Sequence, residues 1–343
     1  MKIQQNVPLA PFTTFGIGGP ARWFIEAGSE PEVVDAVTFA RERALPLFVL
    51  GGGSNLLVSD AGFSGVVLRI ALKGIESAEN KRFRNYQAAA GEDWDQFVSR
   101  AVGDNCAGIE CLAGIPGTIG ATPVQNVGAY GQEVSETIEN VRVLDLESLA
   151  FHEMSAVDCS FTYRTSIFNS TAKGRCLVTR VDFRLNPGGA ANLRYADLKN
   201  AFSTESQPSL LEVAAAVRKI RQAKGMLLVE DDPDCRSAGS FFKNPIVFED
   251  MLPDLTARLG ARPPIYPAGE GKVKLPAAWL IERAGFPKGF RLGRAGISSR
   301  HTLALVNLGG AQAAEILALR DLIVSRVGRL GVLLEMEPVL LGF

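Results

Sequence analysis

Histidine is nearly missing from the 343 residues, with only His152 and His301, and cysteine is scarce, with five scattered positions and no C-x-x-C pair. So few imidazoles supply neither a zinc or iron centre nor a Ser-His-Asp triad. The odd set Cys106, Cys111, Cys159, Cys176 and Cys235 suits reduced, structurally inert thiols better than a disulfide framework. A net positive field is missing too. Lys plus Arg is 36 against Asp plus Glu 37, which leaves no electrostatic footprint for nucleic acid or an anionic membrane surface. No apolar run approaches the roughly 20 residues of a membrane span, and the first residues lack the apolar core of a signal peptide. The expectation is a cytoplasmic protein without metal or membrane insertion. Anionic ligands must be met by local groups, and chemistry must use something other than histidine.

What is present is enough chain for two or three domains. Ser29 is placed to cap a helix over 30–43, with Val33, Val34, Val37 and Ala40 on one face. Pro46 stops it, and "LPLFVL" (45–50) and "GVVLRI" (65–70) read as buried strands, which makes the first unit α/β. From about 84 to 190 short strands dominate around one helix near 91–105, an α+β pattern. The stripe Val213, Val217 and Ile220 predicts an amphipathic helix over 209–224 that links to a third unit. That unit holds "SFFKNPIVF", a helix near 275–285, a strand "HTLALVN" (301–307) and a long helix over 311–329.

Three glycine-rich stretches differ in what they imply. "GIGGPA" (16–21) is not a dinucleotide fingerprint, since no strand precedes it, Pro20 intrudes and no capped helix follows. "GGGSN" (51–55) follows a strand but runs on into "LLVSD"; lacking the Lys-Ser/Thr pair of a P-loop, it reads as a tight turn or as a nest of backbone N–H groups for a pyrophosphate. "GIPGTIGATPVQNVGAYG" (114–131) is too apolar and too proline-locked for a flexible linker. Fixed bends with little side-chain bulk let backbone approach a flat ligand closely. Two such loops favour a large planar cofactor bearing phosphates.

The stretch "CRSAGSFFKNP" (235–245) sets a small hydroxyl, Ser240, between a flexible step and two phenylalanines. With "TTFGIGG", "GGGSN", "GIPGTIGATPVQNVGAYG", "YRTSIF", "LRYADL", "KLPAAWLIE" and "LEMEP", it gives a series whose order and spacing resemble the UDP-N-acetylenolpyruvoylglucosamine reductase family over essentially the whole chain. The resemblance implies an α+β protein: an FAD-binding domain of the vanillyl-alcohol-oxidase type in two subdomains, plus a C-terminal α+β substrate-binding domain. The expected divisions are 1–72, joined by a C-terminal strand at about 335–343, then 73–224, then 225–334. It also implies noncovalent FAD, NADPH as hydride donor, a UDP-sugar substrate and a monomer. The expected reaction reduces UDP-N-acetylglucosamine enolpyruvate to UDP-N-acetylmuramate for peptidoglycan, with hydride passing from flavin N5 to C3.

Residue by residue, the match makes Ser240 the proton donor to C2, Arg164 the grip on the substrate carboxylate, and Glu337 the stabiliser of the intermediate, with Glu335 its competitor for that place. Gly51, Gly52, Gly53, Ser54 and Asn55 are matched to the pyrophosphate, and Gly117, Gly120, Ala121, Thr122, Gly128, Tyr130 and Gly131 to the flavin and phosphates. Tyr163, Tyr195, Lys224 and Asn244 are matched to substrate, Tyr195 marking the subtype with an extra tyrosine loop. A stretch slightly longer than in relatives, "GMLLVEDDPDC", separates Lys224 from Ser240. Rival readings are another FAD-dependent oxidoreductase acting on a small hydroxy acid or alcohol, and a non-catalytic binding protein. A tethering His or Cys inside a glycine-rich loop would favour the former; none is there.

Overall fold

The computed structural model describes residues 1–80, 82–203 and 207–343. The chain divides into two compact units: the first takes residues 1–7, 21–52 and 64–221, the second 8–20, 53–63 and 222–343.

In the first unit, α1 (Glu30–Glu42) starts where Ser29 accepts a hydrogen bond from Glu32 N–H, and it buries Val33, Ala36, Val37 and Ala40. It accompanies a four-stranded sheet ordered Lys2–Pro8, Pro20–Ala27, Phe63–Ile70, Leu47–Leu50, in which Leu47 to Leu50 run parallel to Val66 to Arg69. The larger sheet is antiparallel, ordered Phe151–Ser155, Ile138–Asp145, Cys176–Pro187, Arg84–Ala89, Ile75–Glu79, with Cys106–Ala107 off its path. Its core is aromatic: Phe97 of α2 (Trp94–Gly103) lies 4.9 Å from Phe183 and 5.4 Å, edge on, from Tyr86. The helices α3 (Ala196–Ala201) and α4 (Leu210–Ala223) follow, and α4 buries Val213 and Val217 as its periodicity requires.

The second unit has its own core, in which Phe241, Phe242, Leu280, Ile281, Ile316 and Ile323 are buried. Around it lie α5 (Leu252–Leu259), α6 (Ala277–Arg283), α7 (Ala313–Gly328) and two small three-stranded sheets. The terminal strand Val339–Leu341 pairs in parallel with Leu56–Val58. Asp60, just after that strand, accepts from Ala313 N–H at 2.8 Å and Ala314 N–H at 3.2 Å and so caps α7.

Two sequence expectations change. "HTLALVN" is a strand only at Leu305–Asn307. Ahead of it Ser298 Oγ accepts from the N–H groups of Arg300 and His301, and Ala304 N–H bonds to His301 O, so local hydrogen bonds fold 298–304 into a turn. A strand, Lys2–Pro8, does precede "GIGGPA"; a 3-10 turn at Ala10–Phe12 intervenes and a second strand, not a helix, begins at Pro20. The dinucleotide reading therefore stays excluded for want of a helix. Among the described residues no helix is long and apolar enough to cross a membrane.

Candidate active site

In the first unit the two glycine-rich segments meet. A Cβ on Gly52 would lie 2.6 Å from Gly117 Cα, and one on Gly51 would lie 2.8 Å from Thr118 Oγ1. Backbone passes backbone with no space for a side chain, the close approach a cofactor cradle needs. The longer loop is laced to the turn before α2: Trp94 N–H bonds to Gly117 O at 3.1 Å, Ile119 N–H to Glu92 O at 2.9 Å and Gly120 N–H to Ala90 O at 2.9 Å. Ala121 N–H bonds to Thr118 O and Thr122 N–H to Ile119 O. The amides of Gly120, Ala121 and Thr122 thus hold the loop's shape, and those three donors are engaged within the protein.

Two short turns carry the polar candidates of this unit. Ala129 pairs with Gln132 across Tyr130 and Gly131, whose φ values of 48° and 81° are both positive, as a type I′ hairpin demands. Gly131 adopts that conformation freely, whereas Tyr130 holds it against a steric cost of about 1–2 kcal/mol. A bridge between Thr162 and Thr165 closes a second turn over Tyr163 and Arg164, with Arg164 at φ 56°. Arg164 Nη2 donates to Gly128 O at 2.7 Å, and its guanidinium lies 5.4 Å from the Tyr163 ring centre. Tyr195, 43 % exposed, meets Tyr130 edge to face at 5.4 Å. The structure therefore brings Gly128, Tyr130, Gly131, Tyr163, Arg164 and Tyr195 into one neighbourhood.

Composition and spacing give no hint of what braces it. Asn126, fully buried, donates to Glu133 Oε2 at 2.7 Å and to Thr162 O at 3.0 Å, tying both turns together. Glu110, also buried, accepts from Gly108 N–H, Gln132 Nε2 and Asn192 N–H at 2.8–2.9 Å, so both of its carboxyl oxygens are hydrogen-bonded. Arg221 Nε donates to Gly114 O at 3.0 Å; burial pushes this guanidinium below its ordinary value, opposed by Tyr130 and Asp95. The cysteines match the inert reading: burial raises the thiol pKa of Cys111, Cys159, Cys176 and Cys235.

The second unit holds the remaining candidates. Gly53, at φ 63°, has Phe12 O 1.8 Å from where a Cβ would stand, so glycine is obligatory. Asn55 is engaged with the C-terminal run: its Nδ2 donates to Glu337 O at 3.2 Å, and its carbonyl accepts from Val339 N–H at 2.9 Å. Ser54 O accepts from Thr14 Oγ1 at 3.4 Å.

Ser240 is half-buried, and the two residues after it explain how it is held. Phe241 and Phe242 are buried, 5.2 Å apart edge to face, and Phe241 meets Phe15 at 6.4 Å. Phe242 forms an antiparallel bridge with Met336. Glu337 N–H bonds to Phe241 O at 2.9 Å and Lys243 N–H to Glu335 O at 2.9 Å, so Ser240 and Glu337 lie on neighbouring extended segments. Glu335, its side chain 71 % exposed, pairs with Lys243 Nζ at 2.9 Å. Asn244 Oδ1 accepts from Ala277 N–H at 2.9 Å and caps α6, which leaves its amide NH2 as the half that could meet a ligand. Lys224 stands half-buried just after α4. Among the described residues no group of His, Cys, Asp or Glu could hold a metal ion.

Residues 231–341 match the family model described as UDP-N-acetylenolpyruvoylglucosamine reductase, C-terminal domain, and residues 21–148 match the FAD binding domain. The chain is 45% identical to the UDP-N-acetylenolpyruvoylglucosamine reductase of Thermobifida fusca, over 98% of each chain. It is also 45% identical to that of Streptomyces coelicolor, over 98% of this chain and 90% of the relative. Among solved structures, UDP-N-acetylenolpyruvylglucosamine reductase (MurB) from Thermus caldophilus superposes with a TM-score of 0.67 at 28% identity, covering 99% of both chains.

Proposed function

The chain belongs to the UDP-N-acetylenolpyruvoylglucosamine reductase family, and from that premise we propose how its residues divide the work. The enzyme is an FAD-dependent UDP-N-acetylmuramate dehydrogenase that uses NADPH in peptidoglycan precursor synthesis. Its fold is the FAD-binding domain of the vanillyl-alcohol-oxidase type plus the family's C-terminal domain. The subdomain limits we propose are 1–72 with about 335–343, then 73–224 and 225–334. We further propose a cytoplasmic monomer of the subtype with the extra tyrosine loop, a reading supported by Tyr195 standing exposed against Tyr130.

FAD fits the residues present, because the side-chain-free approach of Gly52 to Gly117 leaves backbone, not bulk, to face it. Gly51 to Asn55 would hold the pyrophosphate, and Gly117, Gly120, Ala121, Thr122, Gly128, Tyr130 and Gly131 the flavin and phosphates. When bound, FAD carries hydride from NADPH to C3 of the enolpyruvyl group. Arg164 grips the substrate carboxylate, where negative charge spreads as C2 becomes electron-rich; a planar guanidinium matches two carboxylate oxygens. Ser240 Oγ then gives its proton to C2. A serine hydroxyl is a weak acid, so this transfer depends on fixed groups that hold the developing charge. Glu337, protonated or hydrogen-bonded, serves there. Tyr163, Tyr195, Lys224 and the Asn244 amide position the sugar nucleotide.

One observation supports the assignment of the acid pair: Glu337 N–H bonds to Phe241 O, next to Ser240, whereas Glu335 O meets Lys243 N–H three residues past Ser240 and its side chain, 71 % exposed, pairs with Lys243 Nζ. The test is an anaerobic visible spectrum before NADPH, after NADPH, and after UDP-N-acetylglucosamine enolpyruvate. Flavin bands should bleach and then return. Bands that bleach and stay bleached would point to an oxidoreductase with another acceptor, and a protein that takes up no FAD would overturn the cofactor assignment.

A further inference from the structure

The segment from Gln222 to Phe241 leads from the end of α4 to the proposed proton donor, and it is fastened to the run 298–307 at four places. Arg300 Nη1 donates to Gln222 O at 3.0 Å. Asp234 accepts from Ser299 N–H at 3.2 Å and Ser299 Oγ at 2.6 Å. Asn307 N–H bonds to Arg236 O at 2.9 Å, and Phe241 N–H to Leu303 O at 2.8 Å. Arg300 grips several points at once, because its Nε also donates to Asp234 Oδ2 at 3.0 Å and its Nη2 pairs with Asp232.

This grip falls on the turn that holds Lys224. Gln222 O accepts from Arg300 and also from Gly225 N–H at 3.0 Å, so Lys224 lies inside a turn closed on that carbonyl. The guanidinium packs on the turn itself: a Cβ on Gly225 would stand 3.3 Å from Arg300 Nε and 3.2 Å from Asp234 Cβ. A cavity of about 280 Å³ opens beside the cluster, walled in part by Arg291, Ser299 and Arg300. An arginine there would have room to swing away, and the two carboxylates fix its direction. With side chains only 29%, 20% and 11% exposed for Arg300, Asp232 and Asp234, removing the arginine strands two charges.

We propose that Arg300 is a positioning residue: clamped by Asp232 and Asp234, it holds the α4 terminus so that Lys224 is aimed at an anionic group of the nucleoside-diphosphate sugar. This rests on the substrate role of Lys224 proposed above. The probe is UDP-N-acetylglucosamine enolpyruvate, titrated calorimetrically into FAD-loaded enzyme without NADPH. Arg300→Gln should weaken binding about tenfold, with Arg300→Lys restoring part of the loss, since an ammonium reaches one partner where the fork reaches three. In turnover the loss should fall on KM for the sugar nucleotide, with kcat within about threefold. Both variants should stay folded at the temperature of the titration and hold FAD as the wild type does, whatever their loss in Tm.

Unchanged affinity in a folded Arg300→Gln protein overturns the proposal, and so does a loss of affinity accounted for by lost FAD or by unfolding at the temperature of the titration. If that variant does not fold, Ser299→Ala, which removes one hydrogen bond to Asp234, should still weaken binding about threefold; no change there also overturns it. Wild-type enzyme that fails to bind the probe breaks the functional reading instead, which keeps the two failures distinct.

Discussion

In the first unit the candidate side chains stand on two-residue turns with positive backbone angles, Tyr130 at φ 48° and Arg164 at φ 56°, whereas in the second Ser240 and Glu337 stand on extended segments joined by the Phe242–Met336 bridge. In the turns the backbone itself sets the direction of the side chain, so the fold is sensitive to the residue at the position. In the extended segments the buried neighbours Phe241 and Phe242 do the holding, so Ser240 can change without disturbing the frame. The same distinction separates what a mutation does to chemistry from what it does to stability.

Ser240→Ala should show the largest effect. Loss of a general acid predicts turnover down roughly 100- to 10,000-fold. Bleaching by NADPH should persist and Tm should stay within a few degrees. A large fall in Tm would mean that the serine, not the phenylalanines, holds the segment.

Arg164 should behave in the opposite sense. Arg164→Gly and Arg164→Ala should both lose most activity, but glycine should be the more stable by about 1 kcal/mol because it adopts φ 56° without strain. Denaturant midpoints of the two variants decide it; the usual order, alanine above glycine, would remove strain from the account of this turn.

Gly52→Ala tests the cradle. A Cβ 2.6 Å from Gly117 Cα forces the loops apart, at an expected 1–3 kcal/mol of overpacking. FAD per chain, read from the visible spectrum, should fall with it. Full FAD content in a stable variant would break the link between this approach and the cofactor.

The clamp in the second unit makes a pH prediction. The Arg300 hydrogen bond lowers the Asp232 pKa, and at Asp234 burial raises the pKa but bonds from Ser299 and Arg300 overcome it. Carboxyls depressed in the fold add stability that is full above their unfolded value of about 3.9 and is lost as pH falls through the folded value. The Tm difference between wild type and Arg300→Gln should therefore be full at neutral pH and shrink below about pH 4. A gap that persists in acid would assign it to packing.

Glu335→Gln should do least, under about 1 kcal/mol and less than about twofold in kcat, as expected for an exposed pair. A large loss would move the proposed catalytic role from Glu337 to Glu335.

Periodicity, with Ser29 as a cap for the first, determined α1, α4 and α7, because those helices carry an apolar stripe that needs no knowledge of its partner. Glycine spacing likewise marked both loops, since only a backbone under tight constraint needs so many residues without a Cβ. The tertiary structure alone decided the rest. It shortened the strand after His301, since Ser298 and His301 supply local hydrogen bonds that compete with pairing. It set Asn126 as the tie between two turns, a role with no local signal because its partners lie at Glu133 and Thr162. It gave Glu335 and Glu337, alike in "LEMEP", different surroundings: the side chain of one pairs with Lys243, and the amide of the other bonds to Phe241 O. And it joined Arg300 to Asp232 and Asp234, a contact across more than sixty positions that no window along the chain contains.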